Sequence, residues 1–497
     1  VSVGRCLVTR APRASLLSVV ATPVADPAPS HGAAHLWPRA RQRLADLTPP
    51  QRDVVVYGIS ALFALVTGVA VGIPLYRQWG QMAAGPYAVA AVLCAAVAGR
   101  RRMGRRGRRA VRVAAFGVAL IGATVVPLCL EVVWASQGNA AQHVQPEVLV
   151  VERAGSRAAH GHNPYRVIDR NGHIVVHQSA EPTYELYYPY LPGMVVFGFS
   201  SVSGGPTHNR VEAQLTDARI QFLVFTLLVT LVALSRIRPP SDARTRALQF
   251  LTVLPTAALP LATGGDDMPV VALMLLGLVG LQRRRPVLAG LALGAASSLK
   301  FTAWPLLVLA AWGATDLHRR RAVGRYALGV LVVVVPIVAP FAIGNPTAFV
   351  DNVIRYPLGL AGVSSPAASA LPGHILIAIW PSIHRPYVVV AGLLGLAVLA
   401  WHLRRRPPVD AAGVATLCGW VMTAAVLLAP ATRVGYLLYP ANLFVWGWML
   451  RRAADPALPD DDVVPAQVTP ESSNTSTVKS VVSAPVVGRT TTPTSHS

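Results

Sequence analysis

Lysine is almost missing from this chain. Only Lys300 and Lys479 occur among 497 residues, so the formal net charge of +22 rests on arginine. Acidic residues are scarce as well. Charged residues of both signs make up 13% of the chain against 53% hydrophobic, which is a membrane composition, because repeated apolar runs of about 18 or more residues read as spans. A nucleic-acid partner is excluded by distribution. The arginines sit in short clusters between apolar runs, the positive-inside pattern, with no basic surface interleaved with aromatics. Cys6, Cys94, Cys129 and Cys418 have neither metal nor disulfide spacing, and three of them lie in apolar runs where cysteine acts as a small hydrophobe. His160, His162, His374 and His384 have no zinc spacing. No Walker-type loop, dinucleotide fingerprint or Gly-x-Ser-x-Gly elbow gives cytosolic nucleotide chemistry a home.

What is present is a series of apolar runs. The expected architecture is an all-α polytopic membrane protein with about 12 transmembrane helices (11–13) and disordered tails. Residues 1–50 and 454–497 read as disordered cytoplasmic tails, and 51–453 as the polytopic domain. Expected spans lie near 54–75, 84–99, 111–134, 219–235, 247–263, 268–282, 326–343, 387–402, 411–429 and 434–450. Two short apolar halves, 287–299 and 301–314, flank Lys300. The run Arg100–Arg109 marks the cytoplasmic side. Residues 189–204 are apolar but short, either a re-entrant segment or a span. If they do not cross, every arginine cluster falls on one side, and the charge rule favours that count.

The exception to the oily pattern is 135–190, a long polar loop on the proposed outer side. Long loops in compact proteins are usually functional. Glu147 and Glu152 stand out in it because apolar neighbours surround them. Five residues apart on a helix, they lie roughly 140° around the axis and do not share a face. Asp266 and Asp267 sit in a Gly-Gly-Asp-Asp turn between two apolar runs, where they need water, a cation or a ligand. Without His or a third acid they are weak metal ligands, and no metal is expected. Lys300 interrupts an apolar stretch, and a cation at membrane depth is a functional candidate. Arg355 and Arg433 fit the same phosphate-contacting role, since the guanidinium fork binds two oxygens. Tyr436 sits beside Arg433 and reads either as a site residue or as part of an interfacial aromatic belt.

Several motifs in order resemble the polytopic C-type glycosyltransferases of actinobacteria, in particular glycosyltransferase family 87. They are Glu147-Val148-x-Val150-Val151-x-x-Ala154, Gly161-x-x-Pro164-Tyr165, Tyr188-Pro189-Tyr190-Leu191-Pro192, Gly264-Gly265-Asp266-Asp267-Met268-Pro269, Leu299-Lys300-x-Thr302-Ala303-Trp304-Pro305 and Arg433-x-Gly435-Tyr436-Leu437-x-Tyr439-Pro440. The resemblance runs from about 111 to 450. It implies a multi-pass cell-membrane enzyme moving a hexosyl unit, mannosyl first, from a polyprenyl-phosphate donor to a glycolipid or glycan acceptor on the outer face. The family's catalytic Asp matches Glu147 here, with Glu152 as its rival. Lys300, Arg355 and Arg433 would face the leaving phosphate, and Asp266, Asp267 and Tyr436 would orient substrate. The donor is a co-substrate, and no cofactor is implied. The chain departs from the family in having Glu for Asp and two spans before residue 110. A flippase of lipid-linked precursors and an arabinofuranosyltransferase of the same fold are the competing readings. The first is disfavoured because no convincing internal repeat is visible.

Overall fold

Prolines decide where several helices of this protein break, and neighbouring side chains repair the breaks. The computed structural model describes residues 47–100, 103–165, 183–200, 210–313, 319–361, 363 and 366–455. The expected tails therefore lie almost wholly outside the described residues, as do residues 166–182 of the long loop. Among the described residues the chain is all helical, with one isolated bridge between Ala368 and Thr432 and no strand.

In order, the helices used below are α1 (Pro49–Ala70), α2 (Pro74–Ala98), α3 (Arg105–Gly138), α4 (Pro146–Ala159), α5 (Ala218–Ser235), α6 (Ser241–Leu248) and α7 (Pro255–Thr263). They continue with α8 (Asp267–Gln282), α9 (Pro286–Leu299), α10 (Trp304–Gly313), α11 (Arg319–Gly344), α12 (Pro372–Ile379), α13 (His384–Arg405), α14 (Ala411–Leu428) and α15 (Leu438–Ala454). Seven helical stretches are long and apolar enough to cross a membrane: 49–70, 74–98, 105–138, 211–235, 320–344, 381–405 and 411–428. Three more, 267–282, 286–299 and 301–313, are apolar but short. The count of full-length spans falls below the expected twelve because a break at Leu254–Pro255, the Gly264-Gly265 turn and Lys300 leave short pieces, and the last helix, Leu438–Ala454, has only 17 residues. Those pieces are central. Nearly every residue of α8 is buried, whereas α13 has no buried residue and meets the core only through half-buried side chains such as Leu399 and Leu403.

α2 begins at Pro74 rather than near 84. Gln78 and Gln81 lower the hydropathy of its first turns, yet Trp79 is fully buried. α1 and α2 cross closely because Gly80 lies against Gly68, and a Cβ on Gly80 would collide with the Gly68 backbone. Within α3, Pro127 has no N–H, so the carbonyl of Ala123 loses its helical donor and a π turn forms at Ile121–Val125. Trp79 Nε1 donates to that carbonyl at 2.8 Å. The single span expected near 247–263 is likewise broken. Leu254 turns extended ahead of Pro255, after a π turn at Gln249–Val253. The freed carbonyls of Thr252 and Val253 accept hydrogen bonds from Thr124 Oγ1 at 3.0 Å and from the Tyr87 hydroxyl. Away from water an orphaned backbone group is expensive, so these side-chain donors are what make the breaks tolerable.

The stretch 189–204 forms a 3-10 helix over Pro192–Gly198. Seven residues rise roughly 14 Å at about 2.0 Å each, well short of a ~30 Å hydrocarbon core. Its described residues pack against neighbouring segments, and 201–204 lie outside the described residues. Leu191 N donates to Leu299 O at 3.0 Å, and Gly198 lies so close to Gly155 of α4 that neither position has room for a Cβ.

One end of the bundle holds a buried ion network. Arg112 donates to Asp53 at 2.5 Å and to Asp242 at 2.6 Å, and Arg246 pairs with Asp53 at 3.0 Å. Gln249 adds bonds to Asp53 and Tyr57, both at 3.0 Å. The network ties α1, α3 and α6 together close to the Arg105–Arg109 cluster. Replacing Arg112 with Met leaves two buried carboxylates without their shared cation, which costs about 3–5 kcal/mol in comparable buried pairs. The detergent-solubilised variant is expected to unfold at a clearly lower temperature. An unchanged midpoint would show that the network does not hold the helices.

Candidate functional site

At the opposite end of the bundle, the chain turns sharply after α7. Gly264 takes φ +123°, a conformation that glycine adopts without strain, and a Cβ there would strike Val148 of α4. This turn sets Asp266 and Asp267 at the start of α8. Lys300 lies in extended backbone at the break after α9, and its ammonium group reaches back to both acids. Nζ is 2.6 Å from Asp267 Oδ1 and 3.2 Å from each oxygen of Asp266. Lys300 and Asp266 are both buried, so the trio is a desolvated ion cluster and not a surface contact. The Tyr190 and Tyr436 rings flank the ammonium with centroids at 5.2 Å and 5.8 Å, within cation–π range. Tyr439 donates to Asp267 Oδ1 at 2.6 Å and accepts from Thr302 Oγ1 at 2.6 Å, fixing one carboxylate from α15.

Glu147 enters from α4, where Pro146 and Glu147 occupy the first turn. Proline suits that position because its missing N–H would have no partner anyway. One Glu147 oxygen, Oε1, is ion-paired with Arg433 Nη1. The other, Oε2, is buried and has no hydrogen-bond partner among the described residues. Arg433 is presented by a short staple. Ser369 N donates to Thr432 O at 2.9 Å, Thr432 N donates to Ala367 O at 2.8 Å, and Val434 N donates to Ser369 Oγ at 3.1 Å. Gln145, the residue capping α4, donates through Nε2 to Thr263 Oγ1 at 2.8 Å and to the Tyr76 hydroxyl at 3.0 Å. Tyr436, whose ring flanks Lys300, follows Arg433 by three residues, and the Gly264 turn that bears Asp266 packs on Val148 beside Glu147, so the two ion clusters adjoin.

The structure thus brings together Glu147, Asp266, Asp267, Lys300, Arg433 and Tyr436. It does not bring in Arg355. That side chain is 55% exposed and bonds Asp351 one turn back on its own helix at 2.6 Å, so it belongs to a local surface pair. Glu152 is also elsewhere. It points away from Glu147 and accepts from the backbone N–H of Ala218 at 3.0 Å, closing the N-terminus of α5 beside Asp217, which caps the same helix. Three residues of the site come from motifs whose chemistry the sequence left unassigned or read as a belt: Tyr190, Thr302 and Tyr439. Gln145 and Tyr76 carry no sequence signal beyond Gln145 standing before a helix-initiating proline.

The site can hold charge and polar groups in a place without much water. Three carboxylates face two cations, and each cation is already engaged. An incoming anion therefore exchanges partners with a carboxylate and does not meet a bare charge. Among the described residues no three His, Cys, Asp or Glu side chains converge as a metal site.

Glu152 carries a pH dependence of its own. Burial, and then the negative charge of Asp217, raise it from 4.5 to about 7. A carboxyl that holds its proton more tightly in the folded state makes that state less stable as pH rises between the two values. Thermal stability is expected to fall between about pH 4.5 and pH 7 by this contribution, and Glu152→Gln is expected to flatten the slope. An identical slope in wild type and variant would remove Glu152 from the explanation.

Residues 213–430 match the family model of glycosyltransferase family 87. Comparison with curated proteins and with solved structures gives no match. The matched stretch takes in Asp266, Asp267, Lys300 and Arg355, begins after the α4 helix that carries Glu147, and stops short of Arg433. With its apolar helices of spanning length, the chain has the make-up of a multi-pass membrane protein, and somewhat less than half of it, residues 213–430, is similar to glycosyltransferase family 87.

Proposed function

We propose that the protein transfers a hexosyl unit, mannosyl by preference, from a polyprenyl-phosphate donor to a glycolipid or glycan acceptor at the outer face of the cell membrane. The observation that carries this reading is the unpartnered Glu147 Oε2, buried beside two cation-bearing segments. A lone acceptor oxygen in such a place is suited to take a proton from an attacking hydroxyl.

The chemistry is a direct displacement. The acceptor oxygen forms a bond to the anomeric carbon as its proton passes to Glu147. The bond from that carbon to the phosphate oxygen breaks, and its electron pair leaves with the polyprenyl monophosphate. Lys300 and Arg433 supply fixed positive charge for the leaving group, which is strongest in a water-poor site. The donor phosphate would share them with Asp266, Asp267 and Glu147. The two aspartates then accept from sugar hydroxyls, held in place by Lys300 and Tyr439. Arg355, paired with Asp351, has no part in this scheme. Glu152 has none either, because its carboxylate is occupied at the start of α5.

Glu147→Gln keeps the shape and removes the base. Transfer from polyprenyl-phosphate mannose in a membrane assay is expected to fall by about 10²–10⁴-fold, the usual worth of a general base. Full activity in that variant would end the proposal for Glu147. The side of the membrane has its own test. His162 is exposed in the loop after α4. In a background without the native cysteines, H162C is expected to react with an impermeant thiol reagent on intact cells. Labelling only after lysis would place the site on the inner face.

A further inference from the structure

The hairpin α1–α2 precedes the family-matched stretch, yet it reaches the site. We infer that Tyr76, in the first turn of α2, is a positioning residue for Glu147, acting through Gln145. The inference rests on the reading of Glu147 as the base.

The hydrogen bonds leave little freedom in how these groups are arranged. Gln145 stands two residues before Glu147 and caps its helix. Its amide nitrogen has two protons to give. The Thr263 hydroxyl spends its own proton on Leu259 O at 2.8 Å, so toward Gln145 it can only accept. The nitrogen of the Gln145 amide must therefore face Thr263. The same nitrogen is 3.0 Å from the Tyr76 hydroxyl, which accepts the second proton. The backbone adds a further bond, Gln145 N to Thr263 O at 3.3 Å. Thr263 leads directly into the turn bearing Asp266 and Asp267. One amide thus locks three segments to one another: the hairpin, the helix carrying Glu147 and the turn carrying the two aspartates.

Tyr76 makes a useful anchor because the hairpin is itself fixed along its length. Trp79 bonds the Ala123 carbonyl, Tyr87 bonds the Val253 carbonyl, and Asp53 sits in the ion network at the far end. The Tyr76 hydroxyl accepts from Gln145 and keeps its own proton to donate. Loss of the hydroxyl would leave the phenyl ring packed and free the Gln145 side chain, and with it the start of α4. A displacement on the order of 1 Å at a reacting group costs up to about 10²-fold in rate.

The test is a double-mutant cycle on the full-length protein in membranes, with polyprenyl-phosphate mannose as donor. Tyr76→Phe and Gln145→Ala are each expected to lower kcat by roughly 10- to 100-fold, with the donor KM within about twofold of wild type. The double variant is expected to lose no more than the worse single one, since both cut the same link. The thermal midpoint of Tyr76→Phe should match wild type, which separates positioning from folding. Wild-type kcat in Tyr76→Phe, or losses that multiply in the double variant, would overturn the inference. Glu147→Gln is run alongside. If that variant is fully active, the reading of the base has failed. If it is inactive while Tyr76→Phe is normal, only the role of Tyr76 has failed.

Discussion

Burying an ammonium group inside a membrane protein demands a counter-charge, and in this fold the demand is met by two adjacent carboxylates from another part of the chain. Lys300 reaches Asp266 and Asp267 across the break between α9 and α10. An unpaired ion in a low-dielectric interior costs several kcal/mol, so the turn before α8 and the break after α9 are each held in place by the other. Much of the site follows from this cluster. Leu191 bonds the carbonyl of Leu299, just before Lys300, which brings Tyr190 over the ammonium. Tyr439 locks Asp267 from the last helix. The Gly264 turn that presents the aspartates also packs against Val148, one residue from Glu147.

A second constraint is backbone satisfaction. The protein tolerates helix breaks at Pro127 and Pro255 because α2 and α3 supply Trp79, Tyr87 and Thr124 as side-chain donors to the freed carbonyls. The same hairpin that repairs the helices also anchors the polar end through Tyr76. Structural support and site geometry are therefore not separable in α2.

The apolar periodicity makes the all-helical class legible, and the scarcity of acidic residues makes most of the site's charged members stand out in the sequence. Glu147, Asp266, Asp267, Lys300 and Arg433 each interrupt or border an apolar run. Their pairing is not legible, because Lys300 and Asp266 are 34 residues apart and Glu147 and Arg433 meet only through tertiary structure. Arg355 looks like Arg433 in sequence. What separates them is Asp351, four residues earlier, an i,i+4 partner for Arg355. The start of α2 is hidden for a different reason. Its first turns mix buried Trp79 and Gly80 with exposed Arg77 and Gln81, so hydropathy alone places the helix too late. Glu147 and Glu152, five residues apart, fall on different sides of α4, as helix geometry requires.

In the proposed reaction one site at the end of the bundle, bounded by Glu147, Arg433 and the Lys300 cluster, would hold the donor with its anomeric carbon toward Glu147. The most direct measurement is a cryo-electron-microscopy structure of the protein with a non-transferable polyprenyl-phosphate sugar. The account predicts the phosphate against Lys300 and Arg433, with the anomeric carbon facing Glu147 Oε2. A phosphate bound at Arg355, or at the arginine-rich end beside Arg112, would contradict it.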